Sequence, residues 1–485
     1  MQSLRRSLNE IIDDYIQNRL PEEHKTKNKV ICICLGGDIQ EQVRPQMEGY
    51  IKNRQREDIA FEEWNGDKLA SLILENFLRE DLVPETVRSQ LRKSLALLDE
   101  PDASYKHFFM LVKSLSNTES KRNKDKLRAI RQIIICLWIL YAWAREEENL
   151  ESAYLSSEIS LLYAWDIAKD FLSQKNKISE EIRQSYYVIQ KLYFQISDEL
   201  LDGKIIPHVT KRHVLSNAVR SFSSLDVNLK LFDILGRLAI NGIWSYWLLL
   251  LVSKEYLQVS EELHARVEEI SNSIKYLISK NPILLLPIKD DQVIDISIAL
   301  LLLMTNPTNN QDIAVWLSEI IRRADFAYQT CSPYPCNLYS YNDLLDHPQP
   351  GEDYRRKVTG GSVLFPMIAL AAALLDCEDL YQKVQILKRK HLDHCNFQFW
   401  YPDDSSEEHF YTNSDIHGAA LSHVCIEHSM DRFLEQVFAE CEESSQFHSL
   451  SATQYNQWPL ILVACRHYRL PIPLHLWQGL RQSIA

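Results

Sequence analysis

Glycine is scarce. The 485 residues contain only 12, against the roughly 7% typical of soluble chains. Turns that need positive φ must therefore be few, which excludes a many-stranded sheet of tight hairpins and favours long helices. Apolar runs that reach the ~20 residues of a bilayer span are also lacking. The longest mainly apolar runs are Ile133–Ala144, Leu238–Ser253 and Ile294–Met304. They read as buried core helices, the second interrupted by Asn241 and Gly242. The ten cysteines have no even spacing, and several, such as Cys136 and Cys465, stand inside apolar runs. That excludes a disulfide framework and fits reduced, buried thiols in a cytoplasmic protein. A positive field over the whole molecule is missing too: the formal net charge is −13, so only a local basic face is left for nucleic acid. Residues 1–20 carry Arg5, Arg6, Asp13 and Asp14 and read as an amphipathic helix rather than a signal peptide. The sequence contains no G-x-S-x-G, no H-E-x-x-H, no kinase set, no phosphate loop and no C-x-x-C. No catalytic residue, cofactor or resident metal is therefore assigned.

The expected fold is mainly α: a small, incomplete βαβ piece at the N-terminus, then a large α-helical bundle or solenoid. Leu4, Leu8, Ile11, Ile12 and Tyr15 fall at helical spacing. Val30-Ile31-Cys32-Ile33-Cys34-Leu35 is a short unbroken apolar run ending at Gly36-Gly37-Asp38, hence a buried strand. Ile39, Val43, Met47, Tyr50 and Ile51 return to helical spacing. Ile59–Trp64 reads as a second strand, and after the turn Asn65-Gly66, Asp67 is placed as N-cap of a helix carrying Leu69, Leu72, Ile73 and Phe77. A helix between two strands makes them parallel. A strand apolar at every position needs cover on both faces and neighbours on its edges, and two strands alone make a marginal sheet. The missing strands are expected from a partner chain, from a segment upstream of Met1, or from a later part of the chain.

Helices are expected over roughly 105–117, 124–147, 151–174, 179–202, 210–221, 226–253, 258–279, 291–304 and 310–326. No fixed repeat period marks a known repeat family. Residues 328–362, rich in proline and tyrosine, read as a long irregular loop, and helices resume at 363. The division expected is 1–82, a partial α/β domain; 83–326, a helical domain; and 327–485, a C-terminal helical domain opened by the 328–362 loop.

The order helix, KVICICLGGDIQEQV, helix, IAFEEWNGDKLASLI resembles the C-terminal half of restriction-endonuclease-like domains of the Mrr type. Trp64, Gly66, Asp67, Leu69 and Leu72 occupy the matching places, and the resemblance covers residues of about 4–79. It implies a bacterial setting of DNA restriction or antiphage defence. The family's catalytic Asp and Glu/Asp-x-Lys stand on strands preceding this region, where they hold Mg²⁺. Here the nearest Glu-x-Lys is Glu23-His24-Lys25, in a polar turn. The resemblance thus implies a catalytically empty remnant; the alternative is a Mg²⁺-dependent endonuclease whose catalytic half lies upstream or on a partner chain.

Three further groups carry charge, rings or metal-ligand types. The basic run Lys121-Arg122-Asn123-Lys124-Asp125-Lys126, opening a helix, could meet phosphates, although a solvated helix face explains it as well. In the 328–362 loop, Tyr334, Tyr341, Arg355, Arg356 and Lys357 combine rings and cations, a composition suited to nucleic acid or a protein partner. His391, His394, Cys395, His409, His417, His423 and His428 cluster in sequence, but the five-residue step from His423 to His428 makes the pair diverge on a helix, so no metal is assigned. The resulting expectation is a non-catalytic scaffold or sensor with a protein partner or self-association, nucleic acid as a further partner, and no membrane contact.

Overall fold

The computed structural model describes residues 2–34, 43–64, 83, 85–117, 122–252, 256–412 and 419–484. It is 72% helix and 6% strand, the mainly α fold expected. The chain divides into two compact units, Met1–Ser89 and Gln90–Ala485. The boundary expected at 326/327 does not separate compact units. The Gly36-Gly37-Asp38 turn, the helix with its cap at Asp67, Lys121 and His417 lie outside the described residues.

In the N-terminal unit, α1 (Gln2–Glu10) runs on into a π-helical stretch, Ile11–Arg19. Leu4 and Leu8 of α1 and Ile12 and Ile16 of the stretch with i→i+5 winding reach the core, while Ile11 and Tyr15 are exposed, which corrects the apolar stripe read from a regular helical period. β1 (Lys29–Cys34) and β2 (Ile59–Trp64) pair in parallel, with Ile31 opposite Phe61 and Ile33 opposite Glu63. The helix α2 (Arg44–Arg54) lies between them in sequence. Ile31, Ile33 and Ile59 close on Leu8, Ile12 and Met47. β1 does not need cover on both faces, contrary to the expectation from its apolar run: Val30 is 51% exposed and Cys34 is exposed, while only Ile31 and Ile33 point inward. The period of two is there in the packing but not in the composition, because valine and cysteine tolerate the outer face.

The large unit is built on α3 (Pro101–Ser116), α4 (Asn123–Glu146), α5 (Glu151–Ala168) and α6 (Lys177–Lys204). α7 (Ser224–Leu251), α8 (Leu257–Lys280), α9 (Val293–Leu303) and α10 (Asn310–Thr330) follow. α5 packs against α3, α4 and α6, and α7 against α8 and α9. Nearly every residue of α5 is buried, as in a helix that runs through the middle of a bundle. By length and composition α4 and α7 could each cross a membrane, but 56% and 72% of their apolar windows are buried inside the protein, which is how core helices pass the same test.

After α10 the chain departs from a single long loop. Two short helices, Tyr341–Leu345 and Glu352–Val358, interrupt 328–362, and the segment ends in β3 (Gly361–Ser362). There follow α11 (Leu364–Leu374), α12 (Glu378–His391), β4 (Asn396–Pro402), β5 (Ala419–His423) and α13 (Met430–Glu443). β4 pairs in parallel with β3 and antiparallel with β5, with Trp400 opposite Leu421. This three-stranded sheet corrects the all-helical reading of the C-terminal part. Phe397, Phe399 and Tyr401 alternate inward along β4, while Trp400 stands between them on the outward face. The last elements are α14 (Pro459–Tyr468) and α15 (His475–Ile484). α14 returns to pack on α5 and α7. A solenoid repeat touches only its neighbours, so this closure decides for a bundle. Asp290 helps to lock it: its carboxylate accepts from Val363 N at 2.8 Å and from the Ser362 hydroxyl, satisfying the start of α11 from more than 70 residues away.

Candidate functional site

The residues singled out from sequence do not converge. Arg122 is exposed and pairs with Asp125 at 2.9 Å, Lys126 pairs with Asp170, and Arg131 with Glu181; Lys124 is exposed. Two cations of that run, Arg122 and Lys126, are thus neutralised by their own surroundings. Tyr334 is 2% exposed and packs its ring at a tilt against Tyr328, with His347 Nε2 hydrogen-bonded to its carbonyl. It is a core residue, which corrects its reading as a contact. Arg355, Arg356 and Lys357 end the helix Glu352–Val358, where cations suit the dipole. Arg356 pairs with Glu352 and Asp393. Tyr341 is exposed and donates its hydroxyl to Asp226. The histidines have separate partners: His391 bonds Asp325, His394 Thr359 and His423 Asn396. Among the described residues no three His, Cys, Asp or Glu side chains stand close enough to hold a metal ion. Glu23 and Lys25 lie on a short helix, Glu22–Lys25, with Lys25 paired to Glu22.

What the fold does bring together was not read from the sequence. α3, α5, α7, the turn before α9, α9 itself and the end of α14 surround a cavity of about 330 Å³, with Tyr105, Glu158, Asp233, Asp295, Arg466 and Arg469 in its wall. Burying this many charges is costly unless each is paired, and the pairing is dense. Arg466 bonds Glu158 at 2.7 Å and Asp233 at 2.9 Å. Arg237 bonds Glu151 and Asp233, each at 2.7 Å, and Lys230 reaches Glu151 at 2.9 Å. Arg469 bonds Asp295 at 2.9 Å. Arg466 and Arg237 also lie near the face of the Tyr154 ring.

Burial raises the carboxyl of Glu158, but Arg466 and His467 outweigh it and hold the group below the usual glutamate range. Burial likewise raises Asp233, and Arg237, Lys230 and Arg466 together hold it well below the usual aspartate range. For Asp295 the balance goes the other way: burial pushes its pKa up to about 6 against the pull of Arg469 and Arg466. Its Oδ1 has no hydrogen-bond partner. That oxygen lies where a side chain on Gly236 would be, since a Cβ there would come within 2.1 Å of it. Arg469, in the left-handed conformation at the C-cap of α14, turns its guanidinium back to Asp295.

One edge of the cavity is a three-residue relay. The Tyr105 hydroxyl is 2.6 Å from His467 Nε2, and His467 Nδ1 is 3.1 Å from Glu158 Oε2. The carboxylate only accepts, so in the neutral ring Nδ1 carries the proton and Nε2 accepts from Tyr105. Burial raises the Tyr105 hydroxyl well above the ordinary tyrosine range, with Glu158 adding to it, so the phenol keeps its proton. Each group in the relay is thus engaged by the next, and Glu158 is engaged again by Arg466. The arrangement suits orienting hydrogen bonds to a bound molecule better than it suits generating a nucleophile. Asp102, exposed at the rim, makes no ion pair among the described residues. The sequence separations in this site exceed 300 residues between α5 and α14, and no local motif spans such a distance. The one available signal was the oddity of Glu158 and Arg466 inside otherwise apolar helices. Comparison with protein-family models, curated proteins and solved structures finds no match for this chain.

Proposed function

We propose that the chain is a non-catalytic sensor or scaffold subunit. In this reading the large helical unit receives a small polar molecule in the cavity between α3, α5, α7, α9 and α14. The N-terminal α/β unit serves a protein partner, in the setting of DNA restriction or antiphage defence that the resemblance at Trp64, Gly66 and Asp67 implies. The observation that carries the reading is the cavity itself. At about 330 Å³ it has the size of a small-molecule site, and its wall holds Asp102 at the rim together with the partnerless Asp295 Oδ1 and Arg466 Nε. Convergent polar groups with shifted proton affinities in a cleft are a recognised mark of binding sites.

Two observations favour binding over turnover. The relay's acid and base groups are spent on one another. The only Glu-x-Lys near the α/β unit's strands stands on a helix with its lysine paired to Glu22, so the nuclease alternative gains nothing from it. A thermal-shift screen of the intact chain against small polar metabolites tests the ligand half. A compound that raises Tm in the wild type and has a much smaller effect on Arg469→Ala supports the reading, whereas stabilisation independent of Arg469, or none across the panel, counts against it. Affinity purification from the native host tests the partner half. Recovery of a restriction or defence protein supports it, and recovery of the chain alone counts against it.

A further inference from the structure

A second surface on the large unit has properties the cavity does not. Between the short helix Val214–Ala218 and α7, the loop presents Phe222 with its whole ring in solvent. A single exposed ring is ordinary on its own; Phe222 is set apart because its ring is fully exposed and also walls a hollow. Beside it is a hollow of about 320 Å³ walled by His213, Ser221, Phe222, Ser224, Pro282 and Ile283. His213 and Arg220 both adopt the left-handed conformation and bracket the short helix. Lys211, Arg212 and Arg220 are exposed and make no ion pair among the described residues, unlike Arg122, Lys126, Arg131 and Arg356.

The surface continues onto the 337–346 segment. Asp226 accepts from the hydroxyls of both Ser221 and Tyr341, so one carboxylate ties the Phe222 loop to the exposed Tyr341, and Tyr339, two residues earlier, is 88% exposed. The acids Asp343 and Asp346 belong to the Tyr341 side, which leaves the 211–220 side cationic.

We propose that this surface binds single-stranded nucleic acid, with one base stacked on Phe222 and seated in the serine-walled hollow and the adjoining phosphates met by Lys211, Arg212 and Arg220. Three kinds of group argue for this ligand over an acidic peptide. A bare ring offers a stacking platform to any base. The Ser224 hydroxyl and the imidazole of His213, both in the wall of the hollow, offer donors and acceptors to a base edge. Unpaired cations adjoin the hollow's lining in the chain, Lys211 and Arg212 before His213 and Arg220 before Ser221, and serve a backbone that carries one charge per nucleotide. A duplex keeps its bases stacked on each other and has none to offer the ring. The site is separate from the charged cavity and does not depend on it.

The test is fluorescence anisotropy of the intact chain with labelled 15-nucleotide oligo-dT and oligo-U strands and with a duplex of the same length. Binding of a single strand tighter than about 100 μM at low salt, with the duplex weaker, is expected. Phe222→Ala, which removes a fully exposed ring and should leave Tm unchanged, is expected to weaken single-strand binding by about five- to a hundredfold. The triple variant Lys211→Gln, Arg212→Gln, Arg220→Gln should flatten the salt dependence by about two units of slope. Absence of wild-type binding, equal binding of duplex, or an unchanged affinity in Phe222→Ala overturns the proposal, as does preference for an acidic peptide over the oligonucleotides.

Discussion

At the scale of single residues, Asp295 and Gly236 are the most informative pair. The carboxyl of Asp295 titrates at about 6 in the folded protein, above its unfolded value near 3.9. The native state therefore holds more protons than the unfolded state between those values, and stability falls as pH rises from about 4 to 6, by an amount on the order of 3 kcal/mol. Asp295→Asn removes this dependence. The difference in unfolding free energy between wild type and variant should therefore shift in the variant's favour across that window, and a difference flat with pH in urea titrations would refute the assignment. Glu151, Glu158 and Asp233 behave oppositely, their carboxyls held low by arginine and lysine neighbours that outweigh burial. Their stabilisation is present above the unfolded carboxylate range and is lost as pH falls from that range through their lower folded values.

Gly236 is the steric counterpart of Asp295. A Cβ there would meet Asp295 Oδ1 at 2.1 Å and Arg466 Cδ at 3.2 Å, so Gly236→Ala is expected to destabilise by about 1–3 kcal/mol despite alanine's higher helix propensity. Gly203, on α6 with nothing within 4 Å of its Cβ position, is the control, and Gly203→Ala should stabilise by about 0.5–1 kcal/mol. Equal denaturation midpoints for the two variants would contradict this packing. Neither role is legible in sequence, because both depend on which helix lies opposite.

At the scale of elements, the α/β unit rests on a small core in which Ile31 and Ile33 are buried and Val30 is not. Ile33→Ala is expected to cost about 2–5 kcal/mol and Val30→Thr less than about 0.5 kcal/mol, read from hydrogen exchange of the β1 amides; similar effects would mean that both faces of β1 are covered. The cap on α11 makes a second prediction. Asp290→Ala strands the donors at Ser362, Val363 and Leu364, the first and last of them buried. A loss of about 1–3 kcal/mol should accompany faster exchange at Val363 and Leu364, while unchanged exchange would show the cap to be idle. The long helices α4 to α10 follow their apolar period closely enough to be placed from sequence. β4 was missed because Trp400 fills an outward position and breaks the polar half of the alternation, and the π-helical stretch because its wider turn moves the stripe to an i+4 rhythm. At Gly361 the requirement is contact rather than conformation: a Cβ would press on Gln398 Nε2 at 3.1 Å, so the glycine marks the closeness of β3 and β4 instead of a turn.

At the scale of the whole molecule, the large unit is closed by α14, its last helix but one. α14 delivers Arg466 to Glu158 and Asp233 and His467 to Glu158, and Trp165 on α5 bonds Ser451 nearby in sequence to α14. Removing one member of such a buried set strands charge. Arg466→Met is expected to cost about 3–5 kcal/mol, and adding Glu158→Gln should recover part of that loss, giving a coupling of about 0.5–3 kcal/mol. Strict additivity in the cycle would mean that the two side chains do not interact.

Apolar spacing and the scarcity of glycine are enough to dictate a mainly helical chain with two early strands, since helix and strand periods are local properties that each segment carries alone. Which charges lie buried together, which rings face solvent and whether the helices stack openly or close into a bundle are set by contacts between segments hundreds of residues apart. Tyr334 and Phe222 make the point from both sides: an aromatic placed in a proline-rich segment packs in the core, and one that any hydropathy reading would bury stands free in water, because burial is a property of the opposing surface and not of the residue.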